Sequence, residues 1–228
     1  MRVSGLEKAV EDYLVTIYKL VEACGKSRTT AIARELGVKP ATVTKVLSRL
    51  AEQGLVKWTR YRGFELTERG RAVAERIVFK HRVAELWLHD FLGYDHLESH
   101  RLAHTMEHLP DDIVKRLYEK IGRPATCPHG NPIPGAQPAM YADSSEPLAS
   151  FRAGTAVRLT RIAGEVLGVL EFAEKNKIVI GLEMCILRHE AQGVKAWIPS
   201  LNRVVEIPHP YTVMLRCVAL GECGRNIK

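Results

Sequence analysis

The chain reads as an α+β protein, helical in its first half and built from short β-strands in its last third. Three observations predict this. Apolar residues recur at three- and four-residue steps from Glu7 to about Gly122. A stretch rich in Pro, Gly and small polar residues, RPATCPHGNPIPGAQPAMYADSSEPLAS, then runs from Arg123 to Ser150. Beyond it, short β-type runs are separated by Gly, Asn and Pro. The Pro-rich stretch reads as a linker with polyproline character. The expected units are therefore 1–70, 71–122, the linker 123–150 and 151–228.

Composition bounds what such a chain does. With 228 residues there is material for one large or two small domains, and 46% hydrophobic with 26% charged residues is ordinary for a globular protein. No run of about 18 apolar residues is present to span a bilayer, so no membrane partner is expected. MRVSGLEKAVED carries acids where a signal peptide needs an apolar stretch, so a cytoplasmic location is expected. The net charge of +7 is a weak vote for a polyanionic partner. The five cysteines are scattered, and Cys24 and Cys185 have apolar neighbours, as buried thiols do. Cys127 with His129, and Cys217 with Cys223, have ligand or disulfide chemistry, but neither pair has C-x-x-C spacing, and the plain structural reading ranks first.

In the first unit, Val10, Leu14, Ile17, Tyr18 and Val21 mark one amphipathic helix. Gly25-Lys26 breaks it, Thr29 or Thr30 is placed to cap the next helix, AIAREL, and Gly37 ends that one. A third helix starts at Pro40, which suits a first helical turn. Val43, Val46, Leu47 and Leu50 form its inner stripe, leaving Lys39, Pro40, Ala41, Thr42, Thr44, Lys45, Ser48 and Arg49 outward or at its start. Two short helices joined by Leu36-Gly37-Val38 make a helix-turn-helix, whose second member enters the major groove of double-stranded DNA. A small hairpin follows from Gly54 to Leu66 with Gly63 at its turn, which makes it a wing. Arg60 and Arg62 near its tip are placed to meet backbone phosphates.

Thr67 is expected to cap a long, mostly buried helix reaching about His89 or Leu92, along which His81 and Glu85 share a face. The next stretch, Asp95 to His108, opens on a capping-box pair, Asp95 and Glu98. It sets His100, His104, Glu107 and His108 along one helical stripe. Imidazoles one turn apart beside a carboxylate are a half-site for a first-row divalent metal. The same letters spell H-x-x-E-H, in which the Glu is a general base in zinc peptidases and simply a ligand in a metal sensor. Pro110-Asp111-Asp112 starts another helix ending at Gly122. Two long apolar helices in so small a unit predict a subunit interface.

In the last unit TAVRLTRI, GVLEFA, KIVIGLEMCILR, GVKAWIP and TVMLRCV read as strands of a small, SH3-like barrel. Phosphate-binding glycine loops and the G-x-S-x-G elbow are missing.

With these elements in view the chain resembles the diphtheria toxin repressor family of metal-dependent transcriptional repressors. The likeness rests on Glu11-Asp12-Tyr13-Leu14, Pro40-Ala41-Thr42-Val43-Thr44, Lys80-His81-Arg82-Val83-Ala84-Glu85, Glu107-His108 and Gly130-Asn131-Pro132-Ile133-Pro134-Gly135, and covers nearly the whole length. It implies a homodimer on operator DNA, with a winged helix, a helical dimerisation region holding two metal sites and an SH3-like domain. Carried over residue by residue, the primary site is Asp12, His104, Glu107 and His108. The ancillary site is His81, Glu85 and His100 with a carboxylate from the barrel, Glu165 first and Glu171 second. Iron-sensing members typically have Met at the position of Asp12 and Cys at that of His104, whereas manganese-sensing members have Asp and Glu, so this chain is a hybrid. The hard carboxylate points to Mn²⁺ or Fe²⁺, and the added imidazole suits Zn²⁺ or Co²⁺, with Ni²⁺ a further substitute. No small-molecule substrate and no catalytic residue is implied. Two other readings stand beside this one: a winged-helix regulator sensing an organic ligand, and a zinc peptidase using His104, Glu107 and His108.

Overall fold

Helix α1 (Lys8–Cys24) is the element on which the other parts of the molecule meet. In the computed structural model, which describes residues 8–136 and 143–224, it packs against helix α2 (Thr29–Glu35), strand β2 (Gly63–Leu66), helix α4 (Glu68–Leu86) and a tight turn at Ala163–Glu165. Leu14, Ile17 and Leu20 supply its fully buried stripe. Asp12 and Lys19, seven residues apart, share a second stripe.

Helix α3 (Pro40–Glu52) follows α2 after a short turn in which Gly37 takes φ +65°. Val43, Leu47 and Leu50 are buried in the same core as Ile32 and Leu55, and Lys39, Pro40, Ala41, Thr42, Thr44, Lys45 and Arg49 are all exposed, as their spacing requires. Neither threonine caps α2: its first turn begins at Thr29 itself, behind Arg28, without a side-chain bond. Strand β1 (Val56–Thr59) pairs antiparallel with β2, from Val56 opposite Leu66 to Thr59 opposite Gly63. The wing turn uses two positive-φ residues, Tyr61 and Gly63. Gly63 is also needed for close approach, because a Cβ there would lie 2.1 Å from the carbonyl oxygen of Ser27, which bridges to it.

Thr67 caps α4 by accepting from the Gly70 N–H at 3.1 Å, and Asp95 caps helix α5 (His96–Met106) by accepting from the Glu98 N–H at 2.7 Å. The long helix ends at Leu86, where the backbone widens into a π-helical turn, Trp87–Phe91. Helix α6 (Asp111–Lys120) completes the bundle, and Gly122 (φ +82°) follows it. Phe91, Leu92 and Ile113 leave large apolar surface exposed.

Residues 123–136 depart from the expected open linker. Backbone bonds from Cys127 to Asn131 and from Ile133 to Ala125 close a turn. Asn131 donates to the Ile162 carbonyl at 2.8 Å, and Ile133 packs with Val83 and Val114. Proline and glycine here shape a buried turn, because its polar groups find partners on α4 and on the β domain. The remaining linker residues 137–142 lie outside the described ones.

The carboxy-terminal strands are β3 (Glu146–Pro147), β4 (Thr155–Ile162), β5 (Glu183–Glu190), β6 (Gly193–Ile198), β7 (Arg203–Pro208) and β8 (Leu215–Glu222). They form one antiparallel sheet in the order β3-β8-β4-β5-β6-β7, bent by irregularities near Val157, Leu159 and Arg188. Among the described residues its edges, β3 and β7, do not pair, so the small antiparallel domain is a curved sheet rather than a closed ladder. The run GVLEFA is not a strand but part of helix α7 (Leu167–Asn176). Val166, Val169, Leu170 and Ala173, all buried, have helical spacing that a reading for β-type residues overrode. TVMLRCV likewise divides between helix α8 (His209–Met214) and β8. Cys185 is disulfide-bonded to Cys223, leaving Cys217 a buried free thiol and Cys24 only partly buried. No helix among the described residues is long and apolar enough to cross a membrane.

The β domain docks on α1 through Gly164, where a Cβ would lie 2.2 Å from the Lys19 carbonyl oxygen and 2.7 Å from the Ala23 side chain. Gly164→Ala is expected to lower stability by roughly 1–3 kcal/mol through overpacking of this contact. Urea unfolding monitored by circular dichroism measures it, and an unchanged midpoint would show that the docking is not tight.

Candidate metal centre and nucleic-acid face

The conformations just described bring ionisable residues from five segments into one buried network. From α4, the His81 ring lies between two carboxylates, with Nδ1 at 2.7 Å from Glu107 Oε1 and Nε2 at 3.0 Å from Glu85 Oε1. From α5, His100 Nδ1 meets Glu85 Oε1 at 2.8 Å and His81 Nε2 at 3.0 Å. His104 Nδ1 reaches Glu107 Oε1 at 2.6 Å. His81, Glu85 and His100 are buried, and His104 is half exposed.

Helix α1 supplies Asp12 to the same place. It lines a cavity of about 380 Å³ with Lys19, Glu35, His100, His104 and Glu107. Burial, and then the charge of Glu107, raise the Asp12 carboxyl above its ordinary value. His108 is near enough for its charge to act on Asp12, and its Nδ1 lies 3.7 Å from Glu11 Oε2. The structure thus joins His104 and Glu107 directly, sets Asp12 on their cavity, and pairs His108 with Glu11, a carboxylate that the sequence reading did not single out as a ligand.

The second grouping differs more from expectation. Glu165 does not complete a set with His81 and His100: its ligand oxygen clusters with Glu85, Cys127 and His129, four fully buried residues whose ligand atoms lie within 4.8 Å of one another. Glu85 Oε2 is 3.4 Å from His129 Nδ1, and the Cys127 thiol donates to Glu165 Oε2 at 3.7 Å. Glu171 is exposed and ion-paired to Arg101. Cys127 and His129 were legible only as a pair two residues apart, and it is the folded 127–133 turn that aims both at Glu85. His81, His100 and His104 form the other grouping, and Glu85 touches both.

The electrostatics suit cation binding. Burial pushes Glu85 and Glu107 up, yet the imidazoles around them outweigh it and hold both far below the carboxylate range. Glu165 is likewise raised by burial but brought to about 2 by Arg82, then Lys19 and His129. His100 and His104 are held below the ordinary imidazole value, first by burial, so their nitrogens stay free as ligands. For His81, burial and Lys19 act downward, and Glu85 with Glu107 prevail to raise it. Cys127 is pushed well up by burial and then by Glu165 and Glu85, the opposing charges a cation would relieve. His129 Nε2 and His96 Nδ1 are buried without a hydrogen-bond partner among the described residues. Three imidazoles in one grouping, and two carboxylates, an imidazole and a thiol in the other, are donor sets for first-row divalent metals.

On the far side of α1, the exposed residues of α3 continue to the wing. Arg60 lies over the Tyr61 ring at 4.9 Å, whereas Arg62 Nη1 pairs with Glu65 Oε1 at 3.2 Å.

Linkage signs give a test of the network. Burial lowers His96 to about 4, so the unfolded chain takes up its proton first as the pH drops below about 6.5. Glu165, at about 2, contributes stability that is present above the unfolded carboxylate range and lost as the pH falls through 2. The metal-free protein is expected to weaken from pH 6.5 to 4, less so in His96→Gln, and again below 4.5. Thermal melts across that range check this, and a His96→Gln profile parallel to wild type would contradict it.

The chain is similar to known proteins along most of its length. Residues 5–64 match the model of the iron dependent repressor N-terminal DNA binding domain, and residues 67–135 that of the iron dependent repressor metal binding and dimerisation domain. The iron-dependent repressor IdeR of Mycobacterium tuberculosis is 33% identical over 217 residues, covering 90% of this chain and 94% of the relative. The diphtheria toxin repressor of Corynebacterium efficiens is 36% identical over 200 residues, 83% of this chain and 87% of that one. A solved manganese-dependent transcriptional repressor in complex with manganese superposes with a TM-score of 0.73 at 29% identity, covering 92% of this chain and all of that one. With both halves of its helical region matched and relatives spanning nearly its full length, the chain belongs to the iron-dependent repressor family.

Proposed function

We propose that the protein is a dimeric transcriptional repressor whose hold on operator DNA depends on a divalent metal, with Mn²⁺ or Fe²⁺ favoured by the carboxylate-rich donor set and Zn²⁺, Co²⁺ and Ni²⁺ as competitors. The observation that carries this is Asp12, which lies on the helix leading into the helix-turn-helix yet faces the His104 and Glu107 of α5 across one cavity. Asp12, His104, Glu107 and His108 are the primary ligands. A cation shared among them supplies a cross-link between the DNA-binding unit and the helical core. His81 and His100 steady the first set, since His81 also holds Glu107. Glu85, Cys127, His129 and Glu165 form the second site in this reading, replacing the set of His81, Glu85, His100 and Glu165.

Fixing α1 against α5 sets the spacing of the two α3 helices across the dimer, which must match half-sites about a helical turn apart. The exposed apolar surface at Phe91, Leu92 and Ile113 is the dimer face in this reading. Lys39, Pro40, Ala41, Thr42, Thr44, Lys45 and Arg49 face the groove, and Arg60 and Arg62 the phosphates. Glu107 is a ligand and not a general base, because His81 and His104 both hold its carboxylate and it is 3% exposed. A repressor acts where the chromosome is, which places the protein in the cytoplasm.

Asp12→Ala is expected to abolish metal-dependent operator binding while leaving fold and dimer in place; full metal activation of this variant in a gel-shift titration would remove the cross-link reading. Lys45→Ala should weaken DNA binding with metal affinity unaltered, and a parallel loss of metal binding would show that α3 is not the reading helix. His129→Ala should lose one metal per chain in a calorimetric titration. Wild-type stoichiometry would return the second site to His81 and His100.

A further inference from the structure

Among the described residues, Arg82 and Lys19 are buried cationic groups of the network that are not ligands, and Lys19 meets both ligand groupings. Lys19, on α1 two turns after Asp12, is 4% exposed. Its Nζ lies 3.3 Å from His81 Nε2 and 3.9 Å from Glu165 Oε1. Each of these partners belongs to a different ligand grouping: His81 to that with His100 and His104, Glu165 to that with Glu85, Cys127 and His129. The nitrogen it meets on His81 is the one that Glu85 and His100 also approach. Lys19 is therefore a monovalent cation built into the point where the two groupings touch.

The surroundings explain why it stays there. Glu35 of α2, Glu165 of the 163–165 turn, His81 of α4, and His100 and His104 of α5 all feel its charge. Two of the five are carboxylates, so a positive charge here is compensated as long as they are not shared with another cation. A divalent ion held by Glu165 is a direct neighbour of Lys19, and one held by Glu107 and His104 stands next to His81, the ring that Lys19 meets, in a buried region where repulsion between like charges is screened little.

We propose that Lys19 is an internal competitor of the divalent metal, a positioning and threshold-setting residue whose charge holds the ligand atoms in place and is displaced from His81 and Glu165 when metal binds. The inference rests on the metal-dependent reading above and goes beyond it in naming the group that fixes how much metal is needed. An ordinary structural lysine would weaken metal binding on removal, because the ligands around it would be disordered. A competitor does the reverse.

The test is calorimetric titration of the full-length metal-free protein with Mn²⁺ and, separately, Zn²⁺, for wild type, Lys19→Met and Lys19→Arg, with thermal melts of each. Lys19→Met should tighten metal binding by about 5-fold or more, the lower end of typical coupling between two sites. It should also lower the melting temperature of the metal-free form and enlarge the rise on adding metal. Lys19→Arg, which keeps the charge, should bind metal more weakly than Lys19→Met. If Met prevents folding, Lys19→Gln, which keeps a donor toward His81 without the charge, is read in the same way. Equal or weaker metal affinity in the folded neutral variant overturns the proposal, as does failure of both neutral variants to fold, which would make Lys19 a structural requirement. Absence of metal uptake by wild type would overturn the metal reading itself, a result distinct from wild-type uptake that Lys19 does not influence.

Discussion

The structure depends on one constraint: charges buried at the meeting point of α1, α4, α5, the 127–133 turn and the 163–165 turn must be compensated there. Glu85, Glu107 and Glu165 are all removed from water, and each is held ionised by neighbours that are themselves buried, His81, His100, His129 and Arg82. Breaking such a set by removing one member leaves an uncompensated charge, which is strongly destabilising. The segments that carry these residues are therefore locked to one another by electrostatics as much as by apolar packing.

That constraint links the domains. Arg82 of α4 donates to Glu165 and to Glu22 of α1, and Asn131 of the folded turn donates to Glu165 and to the Ile162 carbonyl. The β domain is thereby tied to the helical core at the residue that also faces the second ligand grouping. Gly164 permits this by letting the turn backbone rest on Lys19 and Ala23 of α1. Helix α1, which lines the cavity with Asp12 and Lys19, leads into the helix-turn-helix.

Family membership and local chemistry agree on the class of function, and they divide the labour between parts of the chain. The exposed polar residues of α3 and the basic wing lie apart from the buried network, and α1, which lines its cavity, packs on α2 and β2. In the proposed function, binding in the core changes how firmly one helix is held.

Elements whose signals are local could be read from the order of residues alone. Helical periodicity placed α1, α3 and α5, the Thr67 and Asp95 caps placed two helix starts, and the exposed face of α3 followed from the apolar residues between. The ligand residues were legible as types, because His and Glu one turn apart on α4 and α5 must share a face. Partnership between distant residues came from packing. Helix α7 was misread because Val, Leu and Phe suit both periods in a short run, and packing on the sheet chose one. The Pro- and Gly-rich stretch looked like a linker because composition does not tell whether polar backbone is met by water or by Asn131 and Arg82. Glu165 could be named, but its grouping with Cys127 and His129, and the burial of Lys19 between two ligand sets, arise from residues more than 30 positions apart. Nothing in local spacing encodes contacts at that separation; they follow only when the β domain closes on α1.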